Sequence, residues 1–196
     1  MIRRIPVLPT LIVLIAVGIM IGLGFWQLGR LHQKEAELAQ LAANLQSPAA
    51  AFPDDRFDQS FLFRRAILDC RAPKHFTTEG AGKAGYRIIA TCSSGAQVQL
   101  GTTNDLRARV SWGGGLVEGS IGQVPDSRPL LVTAFDHTPR ELMLIAGTPV
   151  AGLAANPPRS LAEIPNNHLS YAVQWFLFAG IALVIYALAL RKRLKG

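Results

Sequence analysis

The sequence predicts an integral membrane α+β protein in which two transmembrane helices bracket an extracytoplasmic, antiparallel β-rich domain. Three observations lead there. No charged residue occurs from Ile5 to Gly29 or from Leu169 to Leu190. Basic residues crowd the outer end of each apolar run, as Arg3-Arg4 before the first and Arg191-Lys192-Arg193-Leu194-Lys195 after the second. Between the runs, short apolar segments are broken by Gly, Pro, Asp and Asn. At a rise of about 1.5 Å per residue, either run is long enough as a helix to cross a hydrocarbon core of roughly 30 Å.

The elements follow in order. Residues 1–5 form a cytoplasmic N-terminus, 6–28 the first span, 29–47 a helical stalk and 48–158 the β-rich domain. Residues 159–166 connect to a second span at 167–190, and 191–196 form a cytoplasmic basic tail. The positive-inside rule puts both termini in the cytoplasm, so the middle lies in a periplasm or intermembrane space. The first apolar run exceeds the usual core of a secretory signal and no small-x-small site follows it directly, so it is expected to stay as an anchor.

The net charge of +7 suggests a nucleic-acid surface at first sight. Six of the twenty basic residues sit in the two tails, and the remaining fourteen face thirteen Asp and Glu. The charge therefore reports membrane orientation and contact with anionic headgroups, and no nucleic-acid partner is expected.

Past Arg30 the first helix is expected to continue. Leu31, Leu38 and Leu45 recur every seven residues with Leu41 on the same face, and Ser47-Pro48 ends the run. In the middle segment the candidate strands are Phe61–Leu68, Tyr86–Cys92, Ala96–Leu100, Leu116–Val124, Pro129–Phe135 and Glu141–Ile145. Ser93-Ser94-Gly95 and Asp136-His137-Thr138-Pro139 read as hairpin turns. Helices long enough for parallel crossovers are missing, which points to antiparallel pairing.

Gly80–Gly85 lacks the rest of a phosphate-loop pattern and reads as a flexible loop, and Gly113-Gly114-Gly115 reads as a turn or bulge. Ser160-Leu161-Ala162-Glu163 fits a capping box ahead of the second span. Cys70 and Cys92 both fall in the outside segment, where an oxidising compartment allows a disulfide; two buried free thiols are the alternative.

No HExxH, GxSxG or CxxC is present, and His32, His75, His137 and His168 are widely scattered. Nothing suggests a nucleophile with a base and an orienter, so the chain is not expected to be an enzyme. The chemistry gathers instead at the membrane edge. Gly24-Phe25-Trp26-Gln27-Leu28-Gly29-Arg30 closes the first span, and Pro165-Asn166-Asn167-His168-Leu169-Ser170-Tyr171-Ala172-Val173-Gln174-Trp175 opens the second, on the same side of the bilayer. Polar and ionisable groups there are costly and mark a site or a helix contact. Gly18 and Gly22 form a GxxxG that lets another helix approach, with Asn166 and Asn167 as further packing candidates. Close packing would bring Trp26, Gln27 and Arg30 near His168, Tyr171 and Trp175. A neutral imidazole can ligate a haem iron, aromatic rings can flank a porphyrin, and Arg30 could pair with a propionate. No other metal site is expected.

At these residues the chain resembles the Surfeit locus family of cytochrome c oxidase assembly factors. The resemblance rests on Gly24 to Glu35 at the first span and on Ile164 to Phe176 at the second. It implies an inner-membrane protein that helps place haem a in oxidase subunit I, with His168 as the natural ligand candidate. It also implies cytochrome c oxidase subunit I as the partner, with haem a synthase and copper-delivery factors as further candidates. The middle departs from the family pattern. Gly85-Tyr86-Arg87-Ile88-Ile89-Ala90-Thr91 and Val117-Glu118-Gly119 fit family strands, whereas Gln97–Thr103 lacks the family's Arg-Gly-Trp-Val-Pro turn. The rival expectation is a haem-free scaffold that docks on subunit I and recruits other factors.

Overall fold

In the computed structural model, residues 6–126, 128–136, 138–150 and 152–195 are described; Arg3, Arg4, His137 and Gly196 lie outside that set. The chain divides into two compact units. One comprises the chain up to Leu38 and from Ala162 onward, and the other is Ala39–Leu161.

The first unit is built from helices. α1 runs unbroken over Val7–Gln46, and α3 covers His168–Lys195. Both are long and apolar enough to cross a membrane, and only 11% and 6% of their most apolar stretches are buried. A core helix of a soluble protein would bury most of such a stretch, so these surfaces suit lipid, and this is a membrane protein. Forty residues of α1 extend about 60 Å, twice a hydrocarbon core. The excess is the charged part from Arg30 onward, which stays helical as far as Gln46. Lys192, Arg193 and Lys195 occupy the last turn of α3, where cations complement the helix dipole.

The two helices meet along seams of seven-residue spacing. On α1 Val17 and Gly24 are buried and Thr10 is half-buried; on α3 Ala172 and Ala179 are buried and Tyr186 is half-buried. This repeat is that of helices packed at a shallow crossing angle with small residues at the seam. Near one end Thr10 and Tyr186 share a hydrogen bond. The Thr10 hydroxyl donates to Pro6 O at 2.7 Å, so the Tyr186 hydroxyl is the donor to Thr10. Gly18 and Gly22, expected at the helix contact, have nothing within 4 Å of an added Cβ. The close approach falls at Gly24, where a Cβ would lie 2.6 Å from Phe176 Cε1 and Cζ. The reason is rotational: at about 100° per residue, Gly18 and Gly22 point well away from the Val17–Gly24 seam.

The second unit is one seven-stranded sheet. Its strands are β1 (Ala50–Ala51), β2 (Arg65–Arg71), β3 (His75–Gly80), β4 (Tyr86–Thr91), β5 (Gln97–Thr103), β6 (Gly114–Gln123) and β7 (Leu142–Ala146), in the order β1-β2-β6-β7-β5-β4-β3. The Ser93-Ser94-Gly95 turn joins β4 to β5 as expected, with the Gly95 N–H donating to Cys92 O at 2.9 Å. Pairing is mixed, not wholly antiparallel: β1–β2 and β5–β7 are parallel. The chain achieves the β5–β7 pairing without a crossover helix because β6 lies between them in sequence and then pairs on the far side of β7.

Alternate residues fill one main core: Ile88, Ala90, Val98, Leu100, Val117, Ile121, Leu142 and Leu144, with Ala66, Cys70 and Cys92. Phe52, Phe61, Leu62, Leu68, Val110, Trp112, Val150 and Leu153 pack against it. The opposite face buries Ile89, Met143 and Ile145. Cys70 and Cys92 are joined in a disulfide with a Cα–Cα distance of 5.1 Å. Four ladder steps separate β2 from β4, or about 19 Å in a flat sheet. The sheet therefore curls until these strands meet around the main core. The Ser93 N–H donates to Arg71 O at 3.1 Å at that closure.

Four expectations need correction. Pro129–Phe135 is not a strand: Leu130–Phe135 is a short helix, α2, inside the β6–β7 connection. A short apolar run carries no period that separates helix from strand, and β6 already pairs directly with β7. Asp136–Pro139 is consequently no hairpin turn, although Asp136 Oδ1 accepts from the Thr138 N–H at 3.0 Å. Phe61 closes a 3-10 turn over Gln59–Phe61, so that strand begins only at Arg65. The expected flexible loop at Gly80–Gly85 is a tight turn through Gly82–Ala84. There Gly85, at φ 80°, has no room for a Cβ, which would lie 2.5 Å from Thr103 O. The strand at His75–Gly80 has no counterpart in the sequence pattern because it is a polar edge strand without apolar alternation.

Candidate functional site

The candidate residues of the two membrane-edge clusters all belong to the helical unit. Gly24 sets its spacing. Without a side chain there, α1 admits the Phe176 ring, which also packs edge-on against Phe25 with centroids 5.5 Å apart. Three residues further, Gln27 lies on the same side of α1 and reaches the first residue of α3. His168 Nδ1 and Gln27 Oε1 are 2.8 Å apart, across 141 residues of sequence. An amide oxygen only accepts, so this contact calls for a proton on Nδ1; the donor and acceptor roles follow the tautomer of the ring.

The other candidates occupy the surroundings in different ways. Trp26 is 57% exposed and Tyr171 is 49% exposed, so both rings offer apolar faces to whatever adjoins the helices. Trp175 is half-buried and packs edge-on against Phe178 at 6.1 Å. The Tyr171 N–H donates to Asn167 O at 3.2 Å, in the opening turn of α3. The Asn166 Oδ1 is buried and has no hydrogen-bond partner among the described residues. Arg30 is exposed, and its Nη1 donates to Gln33 Oε1 at 2.8 Å. The expected gathering is thus realised as a contact for Gln27 with His168, while Arg30 is engaged on its own helix. Sequence reasoning does not reach the structural role of Gly24 with Phe25 and Phe176; a glycine one turn before the polar Gln27 is the available signal.

Among the described residues, no cluster of three or more His, Cys, Asp and Glu could hold a metal ion. His168 Nε2 is the one donor at this edge, among the described residues, suited to a soft or borderline metal centre, and it offers a single ligand. Its chemistry is that of a single part-buried imidazole, with the exposed rings of Trp26 and Tyr171 on the same two helices. The β unit contributes shallow surface clefts, such as one of about 350 Å³ between Phe52, Arg56, Leu68 and Ser94. Arg56 there donates to Gly95 O at 2.7 Å and pairs with Glu141 at 2.5 Å, so its charge is already met.

Comparison with known proteins adds the family. A SURF1-like protein of Rickettsia felis (strain ATCC VR-1525 / URRWXCal2) is 59% identical over 39 residues, covering 20% of this chain and 17% of that relative. The profile of the SURF1 family matches residues 14–98 and residues 95–180, taking in both membrane-edge clusters and the sheet between them. On the extent of that match, this chain belongs to the SURF1 family.

Proposed function

We propose that the chain is a non-enzymatic assembly factor for haem–copper cytochrome c oxidase, assisting haem a insertion into subunit I by holding haem a at the outer membrane edge. The SURF1 family is known generally for oxidase assembly factors. The observation that carries the finer reading is the His168–Gln27 contact, which joins two polar clusters otherwise far apart in the chain. Haem a is cargo here, not a resident cofactor. His168 Nε2 would hold the haem iron, and Trp26, Tyr171 and Trp175 would supply apolar walls. Arg30, exposed beside Gln33, would pair with a propionate. Both termini lie in the cytoplasm and the sheet unit in the periplasm of an inner membrane. Haem a synthase and copper-delivery factors are candidate partners beside subunit I.

A specific observation favours the scaffold reading as an alternative. Gly18, Gly22 and Trp26 recur at four-residue spacing on a stripe of α1 that is exposed, and an added Cβ at either glycine meets nothing within 4 Å. Such a stripe suits a further transmembrane helix, for which subunit I is the candidate. The experiment is the visible spectrum of the detergent-purified protein co-produced with a haem a synthesis pathway, together with oxidase haem a content in a deletion strain. A haem a spectrum shifted or lost in His168→Ala supports carriage. A colourless protein whose absence still impairs the oxidase, and which tolerates His168→Ala better than Gly22→Leu, supports the scaffold. Unchanged oxidase in the deletion strain sinks both.

A further inference from the structure

We infer that Gln27 is a positioning residue that holds the His168 imidazole in its Nδ1–H form and so keeps Nε2 as the outward lone pair. The contact is made between helices, not within one, so it also fixes where the ring stands. Free histidine in water favours the proton on Nε2, the opposite form, and in that form the nitrogen that would meet a metal carries a hydrogen instead. Which nitrogen is protonated is decided by the hydrogen bond that the other one makes. At a helix mouth with restricted access to water, an amide acceptor competes with little else, and the bond is correspondingly strong.

The surrounding packing serves the same contact. Gly24 lets α3 close on α1, and the Phe25–Phe176 pair fills the gap beside it. His168 is the first residue of α3, so its own backbone is tied into the opening turn and the ring's freedom is further reduced. A neutral amide in the orienting role raises ligand basicity less than a carboxylate would. That suits a site which must pass its cargo on. Any consequence for haem rests on the function proposed above; the protonation pattern does not.

The test is nitrogen NMR of the full chain in detergent or lipid discs with labelled histidine, the His168 signal being assigned by its loss in His168→Gln. At a pH above the ordinary histidine range, the wild type should show Nδ1 protonated and Nε2 bare. Gln27→Leu should move the proton to Nε2, and Gln27→Glu, which keeps an acceptor, should restore the wild-type pattern. A wild-type His168 protonated on Nε2 would overturn the inference, because the amide would then be donating. An unchanged pattern in Gln27→Leu would overturn it as well. Titration with haem provides the second readout. Gln27→Leu should weaken binding by about 10–100-fold, the usual effect of removing a group that orients a ligand. Equal affinity in the two proteins counts against a positioning role. A wild type that binds no haem but shows the expected protonation would remove the haem reading and leave the role of Gln27 intact.

Discussion

Gly24→Ala should separate the two membrane helices and undo the site without touching any of its polar groups. The Cβ introduced would stand 2.6 Å from two carbons of the Phe176 ring. Carbon atoms prefer about 3.5–4.0 Å, so something must yield by roughly 1 Å. The ring cannot simply swing aside, because its other side is held edge-on by Phe25. If α3 moves, the His168–Gln27 contact lengthens from 2.8 Å to roughly 3.8 Å, beyond any useful hydrogen bond. Overpacking of this kind costs about 1–3 kcal/mol. Gly22→Ala is the control, since its Cβ meets nothing within 4 Å and its effect should stay within about 0.5 kcal/mol. The assay is thermal unfolding in detergent, paired with the His168 nitrogen spectrum of each variant. Should both substitutions behave alike in melting and in spectrum, the assignment of the helix seam to Val17 and Gly24 is wrong.

Other perturbations address the sheet unit. Replacing both Cys70 and Cys92 by alanine should lower stability by about 3 kcal/mol, the chain-entropy value for a loop of this size. Denaturant unfolding with and without reductant checks it, and an unshifted midpoint would refute it. Asn156→Ala should cost about 1–3 kcal/mol. It deprives the buried Gln99 Nε2 of its 2.7 Å acceptor and Ala146 O of its 2.9 Å donor; a chemical denaturation midpoint equal to wild type would count against that. The Arg128 guanidinium bonds Asp126 and holds its carboxyl down at about 2, from an ordinary 3.8. A depressed carboxyl stabilises the fold above its ordinary value, and this contribution disappears as pH falls from about 4 through about 2. In Arg128→Ala the Asp126 carboxyl should titrate in the ordinary range, as carbon NMR would show.

Much of the architecture is legible in the sequence because it depends on local properties. Five strands of the sheet carry apolar alternation or a continuous apolar run, and the Ser93-Ser94-Gly95 turn announces its hairpin. Leu130–Phe135 departs from expectation because a short, mostly apolar run satisfies a strand or a helical turn equally well; the choice falls to the direct pairing of β6 with β7. β3 leaves no signal because an edge strand facing water on most sides needs no apolar pattern. At the site, Gln27 and His168 are both visible as polar residues at apolar borders. Which of its neighbours His168 meets is not.

The sequence by itself determined the two spans, their basic flanks and the polar clusters at their mouths, because a bilayer excludes charge and demands length regardless of how the chain folds. Tertiary structure alone decided that Gly24, and not Gly18 or Gly22, takes the close approach, and that Gln27, and not Arg30, meets His168. It also decided that β5 and β7 run parallel and that the sheet curls far enough to join Cys70 to Cys92. The physical reason is that a residue's chemistry is written in one dimension, whereas the face it presents depends on how one helix is rotated against another. A turn of about 100° per residue moves a side chain from the seam to the lipid, and only the packing of the partner helix selects between the two.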